Sequence, residues 1–345
     1  MQYRKLGKTN LDVSLICLGT MTWGRQNTQD EGFAQMDYAR ERGINFFDTA
    51  ELYAVPPNAE TYGKTETIIG NWFAARKNRE DVILATKIAG ARASWIRDGA
   101  MINRQGIMEA VEGSLKRLQT DYIDLYQLHW PNRDSYAFQS HWGFAPDFDP
   151  AAEEANFTEV LETLDECVKA GKIRHVGLSN ETAWGTMKYL QLAEKHNLPR
   201  MVSIQNEYSL LNRLFDTDMH EIARAEKVGL LAWSPLATGM LSGKYLDGAR
   251  PQGSRWSIEH RGIARDTQNA QNAVRSYMAI AQKHGLDVCQ MALAFVNSRP
   301  FVTANIIGAT SMDQLKTNID SVDVTLSGEV LADIEEVYRT CPWPY

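Results

Sequence analysis

Residues 82–129 read VILATKIAGARASWIRDGAMINRQGIMEAVEGSLKRLQTDYIDLYQLH and contain a strand–helix–strand pattern. The stretch opens with the short apolar run Val82–Lys87 and closes with a second run, Ile123–His129. Between these runs, apolar residues recur at the spacing of a helix face: Ile107, Val111, Leu115 and Leu118. A strand, a helix and a second strand in this order predict a right-handed βαβ unit with parallel strands.

The same alternation recurs about eight times along the chain, and no linker-like segment interrupts it. No Gly-x-Gly-x-x-Gly follows the first predicted strand, so the dinucleotide fingerprint of a doubly wound sheet is missing. We therefore predict an α/β fold in which residues 1–345 form a single (β/α)₈ TIM barrel domain. The first ten residues suit a small hairpin that closes the bottom of the barrel, and Glu329–Thr340 suits an extra C-terminal helix. The predicted strands are Ser14–Leu18, Asn45–Asp48, Val82–Lys87, Ile123–His129, Ile173–Leu178, Met201–Gln205, Leu230–Trp233 and Asn305–Ile307.

The amino-acid composition argues against several classes of binding partner. The net charge of −7 argues against a nucleic-acid or anionic-membrane partner, because both need clustered lysine and arginine. No secretory signal or membrane-spanning run is visible. The four cysteines and seven histidines are scattered, without the spacing of metal ligands. We expect a reduced, cytoplasmic protein that binds a small molecule and no metal; the sequence predicts no oligomeric state.

Two long interruptions separate the predicted elements. Pro131–Asn156 follows the fourth strand and Leu246–Gln268 follows the seventh. Loops of this length in a compact domain are usually lids or binding loops. Trp142 and Phe144 in the first interruption either line a substrate pocket or pack the loop onto the barrel.

Ionisable residues close three consecutive predicted strands. Asp48 ends the second, Lys87 the third and His129 the fourth, and Tyr53 follows Asp48 on the next loop. Because barrel enzymes place their chemistry at the C-terminal ends of the strands, we expect the four side chains to meet at the mouth. Each residue alone is more readily explained by a structural role, but together they indicate a site.

The chemistry of this set suits proton donation to a carbonyl oxygen. A free tyrosine has a pKa near 10, and a neighbouring cation lowers that pKa. Lys87 supplies the charge, and Asp48 holds Lys87 protonated through a charge-assisted hydrogen bond. A neutral His129 would orient the substrate oxygen while Tyr53 acts as the general acid.

The sequence resembles the aldo-keto reductases. The resemblance rests on motifs that occur in order from residue 1 to about residue 340. Within the family, the chain is most similar to the bacterial Tas-type and potassium-channel β-subunit branches. The motifs are LGTMTWG (18–24), FDTAELY (47–53), Lys87, His129, GLSN (177–180), WSPL (233–236) and IGAT (307–310).

The resemblance implies reduction of aldehydes and ketones with NADPH, with Asp48, Tyr53, Lys87 and His129 as the catalytic residues. It also implies that Ser179, Asn180 and Gln205 bind the nicotinamide carboxamide and that Trp233 stacks on its ring. The other implied cofactor-binding residues are Gly19, Thr20 and Met21; Ser234, Pro235, Leu236, Ala237, Gly239, Leu241 and Gly243 around the pyrophosphate; Lys244 and Arg255, which add positive charge; and Ile307, Gly308, Thr310, Gln314 and Asn318 at the adenosine 2′-phosphate.

The substrate pocket should be formed by Trp23, Tyr53, His129 and Trp130, together with Met21 and the Pro131–Asn156 loop. The tail, residues 341–345, is too short to form the long specificity loop of the mammalian reductases. The aromatic content of the pocket favours apolar or aromatic aldehydes and ketones. Glu181 and Thr317 depart from the residues common in the family, and Thr317 weakens the expected preference for NADPH over NADH.

Two other functions fit parts of the pattern. A lysine that ends a barrel strand also suits a lyase with a Schiff-base nucleophile, although Asp48 beside it argues against that role. The similarity to channel β-subunits suits an NADPH-binding redox sensor or regulatory subunit with little turnover.

Overall fold

The computed structural model describes residues 1–258 and 264–345. Residues 259–263, which belong to the predicted Leu246–Gln268 loop, lie outside the described residues. The strands are β1 Tyr3–Lys5, β2 Asp12–Ser14, β3 Ile16–Gly19, β4 Phe46–Asp48, β5 Ile83–Ile88, β6 Ile123–Leu128, β7 Ile173–Ser179, β8 Met201–Gln205, β9 Gly229–Ala232 and β10 Val302–Ile307. The helices are α1 Gln29–Glu41, α2 Lys64–Arg76, α3 Arg104–Leu118, α4 Pro150–Lys169, α5 Ala183–His196, α6 Asp218–Glu226, α7 Arg255–Ile258, α8 Gln268–Lys283, α9 Val288–Ser298, α10 Met312–Asp320 and α11 Gly328–Thr340.

Strands β3 to β10 form a closed barrel in chain order, and every neighbouring pair is parallel. The barrel closes where β10 pairs with β3, with Ile306 opposite Cys17. Helices follow the strands around the outside, so the predicted (β/α)₈ TIM barrel is confirmed. The eight predicted strands correspond to these eight, with ends that differ by a few residues.

The strands are buried on both faces, as parallel strands covered by helices must be. All six residues of β6 and of β10 are buried. Side chains such as Phe46 and Leu125 pack in the barrel interior, whereas a larger apolar layer lies between the strands and the surrounding helices. Periodicity alone therefore cannot assign the inward face of these strands.

The hairpin of β1 and β2 covers the N-terminal ends of the barrel strands, as predicted. The Ser14 amide donates to Asn45 Oδ1 at 2.8 Å, just before β4 begins. Gly7 has a φ of 57°, and a Cβ there would overlap the carbonyl oxygen of Val202 at the start of β8. The hairpin leaves the opposite end of the barrel open for a site.

The first long interruption is shorter than predicted. Helix α4 begins at Pro150, and Asp149 caps it by accepting a hydrogen bond from the Ala151 amide at 2.9 Å. Proline is favoured at the first position of a helix, so it marks this start rather than a continuing loop. The loop after β6 therefore comprises residues 129–149. Within the described ranges, no helix combines the length and apolar character needed to cross a membrane.

Candidate active site

Four predicted residues meet at the C-terminal end of the barrel. Lys87 Nζ lies 2.8 Å from Asp48 Oδ2 across neighbouring strands and 5.0 Å from the centroid of the Tyr53 ring. The rings of Tyr53 and His129 meet edge to face, with centroids 5.8 Å apart. The ends of β4, β5 and β6 thus place a carboxylate, an ammonium, a phenol and an imidazole in one cluster.

The Asp48–Lys87 pair is buried and well supplied with partners. The Lys87 side chain is 0% exposed, and its Nζ also donates to the Thr49 carbonyl at 2.7 Å. On the other side, Asp48 Oδ1 accepts from Gln205 Nε2 at 2.8 Å. Burial alone would lower the pKa of Lys87, but the nearby Asp48 and Tyr53 outweigh it and raise that pKa. A protonated amine is a poor nucleophile, so the geometry does not support the lyase alternative.

The pKa of Tyr53 is shifted in the direction opposite to the predicted one. Burial raises its pKa and exceeds the opposing effect of the Lys87 charge, so that the pKa lies above the usual value of 10. The prediction of a lowered pKa is therefore wrong in sign, because transferring a phenolate out of water costs more than this ammonium returns. Tyr53 accordingly holds its proton at neutral pH.

His129 is neutral at physiological pH, as expected. Burial, and to a smaller extent the charge of Lys87, lowers its pKa well below the usual 6.5. Its Nδ1 is buried with no hydrogen-bond partner in the described part of the chain. A neutral imidazole in this position is suited to hydrogen bonding rather than to carrying charge.

A second group of predicted residues is hydrogen-bonded to the first. Asn180 Nδ2 donates to the His129 carbonyl at 2.8 Å, and Asn180 Oδ1 accepts from Trp233 Nε1 at 3.2 Å. Ser179 Oγ donates to the Gln205 carbonyl at 2.8 Å. Because Gln205 also bonds Asp48, residues from β7, β8 and β9 join the cluster on β4 to β6.

The chain winds tightly after Trp233. Ser234, Ala237, Thr238 and Gly239 have φ values of 54°, 48°, 58° and 93°, all in the left-handed region. Successive residues of this kind turn backbone N–H groups toward one side. The same run contains Pro235, Leu236, Leu241 and Gly243, and it ends at Lys244, whose Nζ lies 5.2 Å from the Tyr245 ring centroid. Arg255 starts α7 and acts electrostatically on Tyr53, lowering its pKa slightly.

The end of β10 leads into another helix N-terminus. Gly308 follows Ile307 and is exposed, with open space where a side chain would stand. Gln314 Oε1 accepts from the Thr310 amide at 3.0 Å, and Asn318 Nδ2 donates to the Gly308 carbonyl at 3.1 Å. Ser311 caps α10, whose first amides point toward this loop.

A model of the aldo/keto reductase family matches residues 15–339. The chain belongs to the aldo/keto reductase family. It is 48% identical to Protein tas of Escherichia coli strain K12, over 100% of this chain and 99% of that protein. It is 35% identical to uncharacterized oxidoreductase YrpG of Bacillus subtilis, over 98% of this chain and 96% of the relative. A probable voltage-gated potassium channel subunit beta of Oryza sativa is 30% identical, over 99% and 98% of the two chains. The chain is thus an oxidoreductase of this family.

At the mouth of this aldo/keto reductase, the residues at the end of β3 and just after it lie in two different environments. Gly19 pairs with Asp48, and Thr20 Oγ1 donates to the Asp48 carbonyl at 2.9 Å, whereas the Met21 carbonyl accepts from the Val55 amide. Trp23 is 0% exposed, and its Nε1 donates to Gln35 on α1 at 3.0 Å. The prediction that Trp23 lines the substrate pocket is therefore wrong, because the ring packs in the core beneath α1.

Two aromatic residues at the mouth, Trp95 and Phe138, were not predicted as site residues. Trp130 is mostly buried in an apolar cluster against which both Tyr53 and Trp95 pack. Phe138, on the loop after β6, lies against Trp233 with ring centroids 5.8 Å apart. Trp95 follows β5 as Tyr53 follows β4, so its place after a strand is a usable signal, whereas no sequence spacing marks Phe138.

A buried ion pair fastens the loop after β6 to the barrel. Arg133 binds both oxygens of Glu181 at 2.5 and 3.1 Å, and both side chains are almost completely buried. Glu181, whose side chain departs from the family pattern, therefore serves as the anchor of this loop. Within the loop, Phe144 packs edge to face on Tyr136. These contacts favour a packing role for Phe144.

The tail also reaches the mouth, which the sequence did not predict. The Tyr345 hydroxyl donates to Glu207 Oε1 at 3.1 Å, and the same oxygen accepts from Arg265 at 2.8 Å. Trp142 Nε1 donates to the Tyr345 carbonyl at 2.9 Å. Tyr345 thereby joins the loop after β6 and contributes to the cover of the barrel.

Proposed function

We propose that this protein reduces aldehydes and ketones with NADPH and that Tyr53 supplies the proton. The observation that carries the proposal is the buried Asp48–Lys87 pair beside Tyr53, with a neutral His129 at its ring. An acid that keeps its proton at neutral pH, next to a fixed cation, suits protonation of an oxygen as negative charge develops on it.

When bound, NADPH supplies the hydride that reduces the carbonyl carbon. The hydroxyl of Tyr53 transfers its proton to the carbonyl oxygen, which yields the alcohol and leaves a phenolate. The Lys87 ammonium stabilises that phenolate, and Asp48 keeps Lys87 charged and in position. His129 hydrogen-bonds the carbonyl oxygen and orients it toward Tyr53. Asp48 and Lys87 act from positions that their hydrogen bonds already fix.

The residues around the second group fit a dinucleotide. Trp233 offers a flat aromatic face. The left-handed run after it is a backbone conformation of the kind whose N–H groups can bind phosphates. Ser179, Asn180 and Gln205 would bind the nicotinamide amide. Open space beside Gly308 and the N-terminus of α10 suit the adenosine phosphate. We further propose that the protein prefers NADPH to NADH and that it is cytoplasmic, as expected from the sequence.

The direct test is consumption of NADPH, and separately of NADH, with a panel of aliphatic and aromatic aldehydes and ketones. We expect turnover with NADPH that depends on the carbonyl compound. Tight binding of NADPH without reduction of any member of the panel would instead favour a redox sensor or regulatory subunit, as the similarity to a channel β-subunit suggests.

The pH dependence of aldehyde reduction should lack an inflection near neutrality. Because the pKa of Tyr53 is raised above 10 and that of His129 is lowered well below 6.5, neither group changes protonation between about pH 6.5 and 9. Reduction should therefore be level over this range and decline only at higher pH, as Tyr53 loses its proton. Oxidation of an alcohol needs the phenolate and should rise with pH. Measured kcat/KM profiles in both directions would contradict the assignment if reduction halved near pH 7.

Replacing Trp233 by alanine should weaken NADPH binding. Loss of the aromatic face removes stacking and buried area, and we expect the Kd to increase about tenfold. Titration calorimetry with NADPH measures the change directly. Trp343→Ala, which removes an exposed tail tryptophan, is the matched control and should bind NADPH as the wild type does. Equal Kd values for the two variants would refute the role of Trp233.

A further inference from the structure

A cavity opens beside the proposed active site, between the loop after β6 and the segment that follows β8. Its walls include Phe138, Gln139, Asn180, Asn206, Glu207 and Phe215. The empty space measures about 360 Å³, part of it continuous with solvent. Apart from the space shared with solvent, the cavity has room for a group about the size of one water molecule, such as a hydroxyl. None of the proposed catalytic residues lines it.

Asn206 presents an unused acceptor in this cavity. Its side chain is 7% exposed, and Oδ1 has no hydrogen-bond partner among the residues that the structure describes. The amide orientation is fixed, because Nδ2 donates to the Glu181 carbonyl at 3.0 Å and a flipped amide would place two oxygens together. A buried acceptor without a donor is unfavourable and is uncommon in folded proteins.

Glu207, the next residue, presents a second unused acceptor. Oε1 accepts from Arg265 at 2.8 Å and from Tyr345 at 3.1 Å, whereas Oε2 is buried without a partner in the described ranges. The residue is 9% exposed. Asn206 and Glu207 therefore each have one side-chain oxygen that accepts no hydrogen bond among the described residues. Both oxygens need a hydrogen-bond donor.

The charge around the cavity selects the kind of donor. Arg265 already neutralises the Glu207 carboxylate, and the other lining side chains are uncharged at neutral pH. An ammonium group would add an uncompensated positive charge to a buried site, which is costly. A hydroxyl group donates a hydrogen bond without adding charge, so it satisfies the acceptors better.

The cavity adjoins the proposed reaction centre through shared residues. Asn180 lines the cavity and donates to the His129 carbonyl, and Phe138 lines it and packs on Trp233. Asn180 and Phe138 thus connect the wall of the cavity to residues of the proposed reaction centre.

We propose that Asn206 and Glu207 bind a hydroxyl group of the substrate, so that the preferred substrates are hydroxylated aldehydes or ketones rather than purely apolar ones. This inference rests on the proposed function. Asn206 and Glu207 are then specificity-determining residues that act on the substrate at a distance from the proton transfer.

The test compares butanal with 2-hydroxybutanal and 3-hydroxybutanal as substrates with NADPH. At least one hydroxylated aldehyde should have a kcat/KM about tenfold above that of butanal, the effect of one good hydrogen bond. The specificity ratio is kcat/KM for the hydroxylated aldehyde divided by kcat/KM for butanal. This ratio should fall toward one in Asn206→Leu, which removes the acceptor and keeps a similar volume. Because a substrate has the same intrinsic reactivity with both enzymes, that reactivity cancels when the two ratios are compared.

Thr186→Val is the matched control, because it also removes a buried oxygen without a partner, but in α5 outside the cavity. Its ratio should equal that of the wild type. A second readout is competitive inhibition by butane-1,2-diol and butane-1,3-diol relative to butan-1-ol in the presence of NADP⁺. We expect a diol to bind about tenfold more tightly than butan-1-ol.

The two proposals fail in different ways. If no aldehyde is reduced, the proposed function is wrong. If butanal is reduced but the ratio in Asn206→Leu equals the wild-type ratio, only the present inference is wrong. A crystal structure with a diol that shows an ordered water alone between Asn206 and Glu207 would also overturn it.

Discussion

Replacing Tyr53 by phenylalanine is expected to lower kcat for aldehyde reduction by roughly 10²–10⁴-fold, the usual contribution of a positioned general acid. The substitution removes one oxygen and keeps the ring that packs against His129. Hydride transfer would then produce an alkoxide without a proton donor at hand. Steady-state kinetics with an aldehyde that the wild type reduces rapidly measure the loss.

Tyr62→Phe provides the matched control for this variant. Tyr62 lies after the same strand and is partly exposed, but it belongs to no part of the proposed site. Tyr62→Phe should keep wild-type kcat, and Tyr53→Phe should still bind NADPH with an affinity close to that of the wild type. A Tyr53→Phe variant with unimpaired kcat would mean that another group supplies the proton.

Replacing Lys87 by methionine should reduce the free energy of unfolding by about 3–5 kcal/mol, because it leaves the Asp48 carboxylate buried without its cation. Reduction of aldehydes should fall as well, since no charge remains to stabilise the phenolate. Urea unfolding followed by far-UV circular dichroism gives the stability, and kinetics give the activity.

The double variant Asp48→Asn, Lys87→Met separates the two effects. It removes both charges, so much of the lost stability should return, while the activity stays low. The amide introduced in place of the Asp48 carboxylate retains an oxygen for the Gln205 side chain, which limits other disturbance. If Lys87→Met were as stable as the wild type, the buried pair would not have the energetic role assigned to it.

The fold and the position of the proposed catalytic residues follow largely from local patterns in the sequence. Parallel strands surrounded by helices need apolar residues on both faces, so a charged residue is tolerated mainly where a strand ends. Asp48 is the last residue of β4, Lys87 lies one residue before the end of β5, and His129 directly follows β6. The topology then brings them together without any further information about packing.

Other features depend on contacts that no local pattern reveals. The place of Trp23 is decided by Gln35 on the next helix, which satisfies the indole in the core. The raised pKa of Tyr53 reflects the balance between burial and the Lys87 charge, and only the second of these can be inferred from local sequence. Tyr345 meets Glu207 across 138 positions of the chain. A long separation of this kind is visible only once the molecule is folded.

The position of the tail bears on how the protein should be handled. An affinity tag or fluorescent reporter fused after Tyr345 would start among the contacts of that residue with Trp142 and Glu207, at the rim of the barrel. A fusion before Met1 would instead emerge beside the hairpin, at the far end of the molecule. Amino-terminal fusions are therefore the appropriate choice for every assay described above.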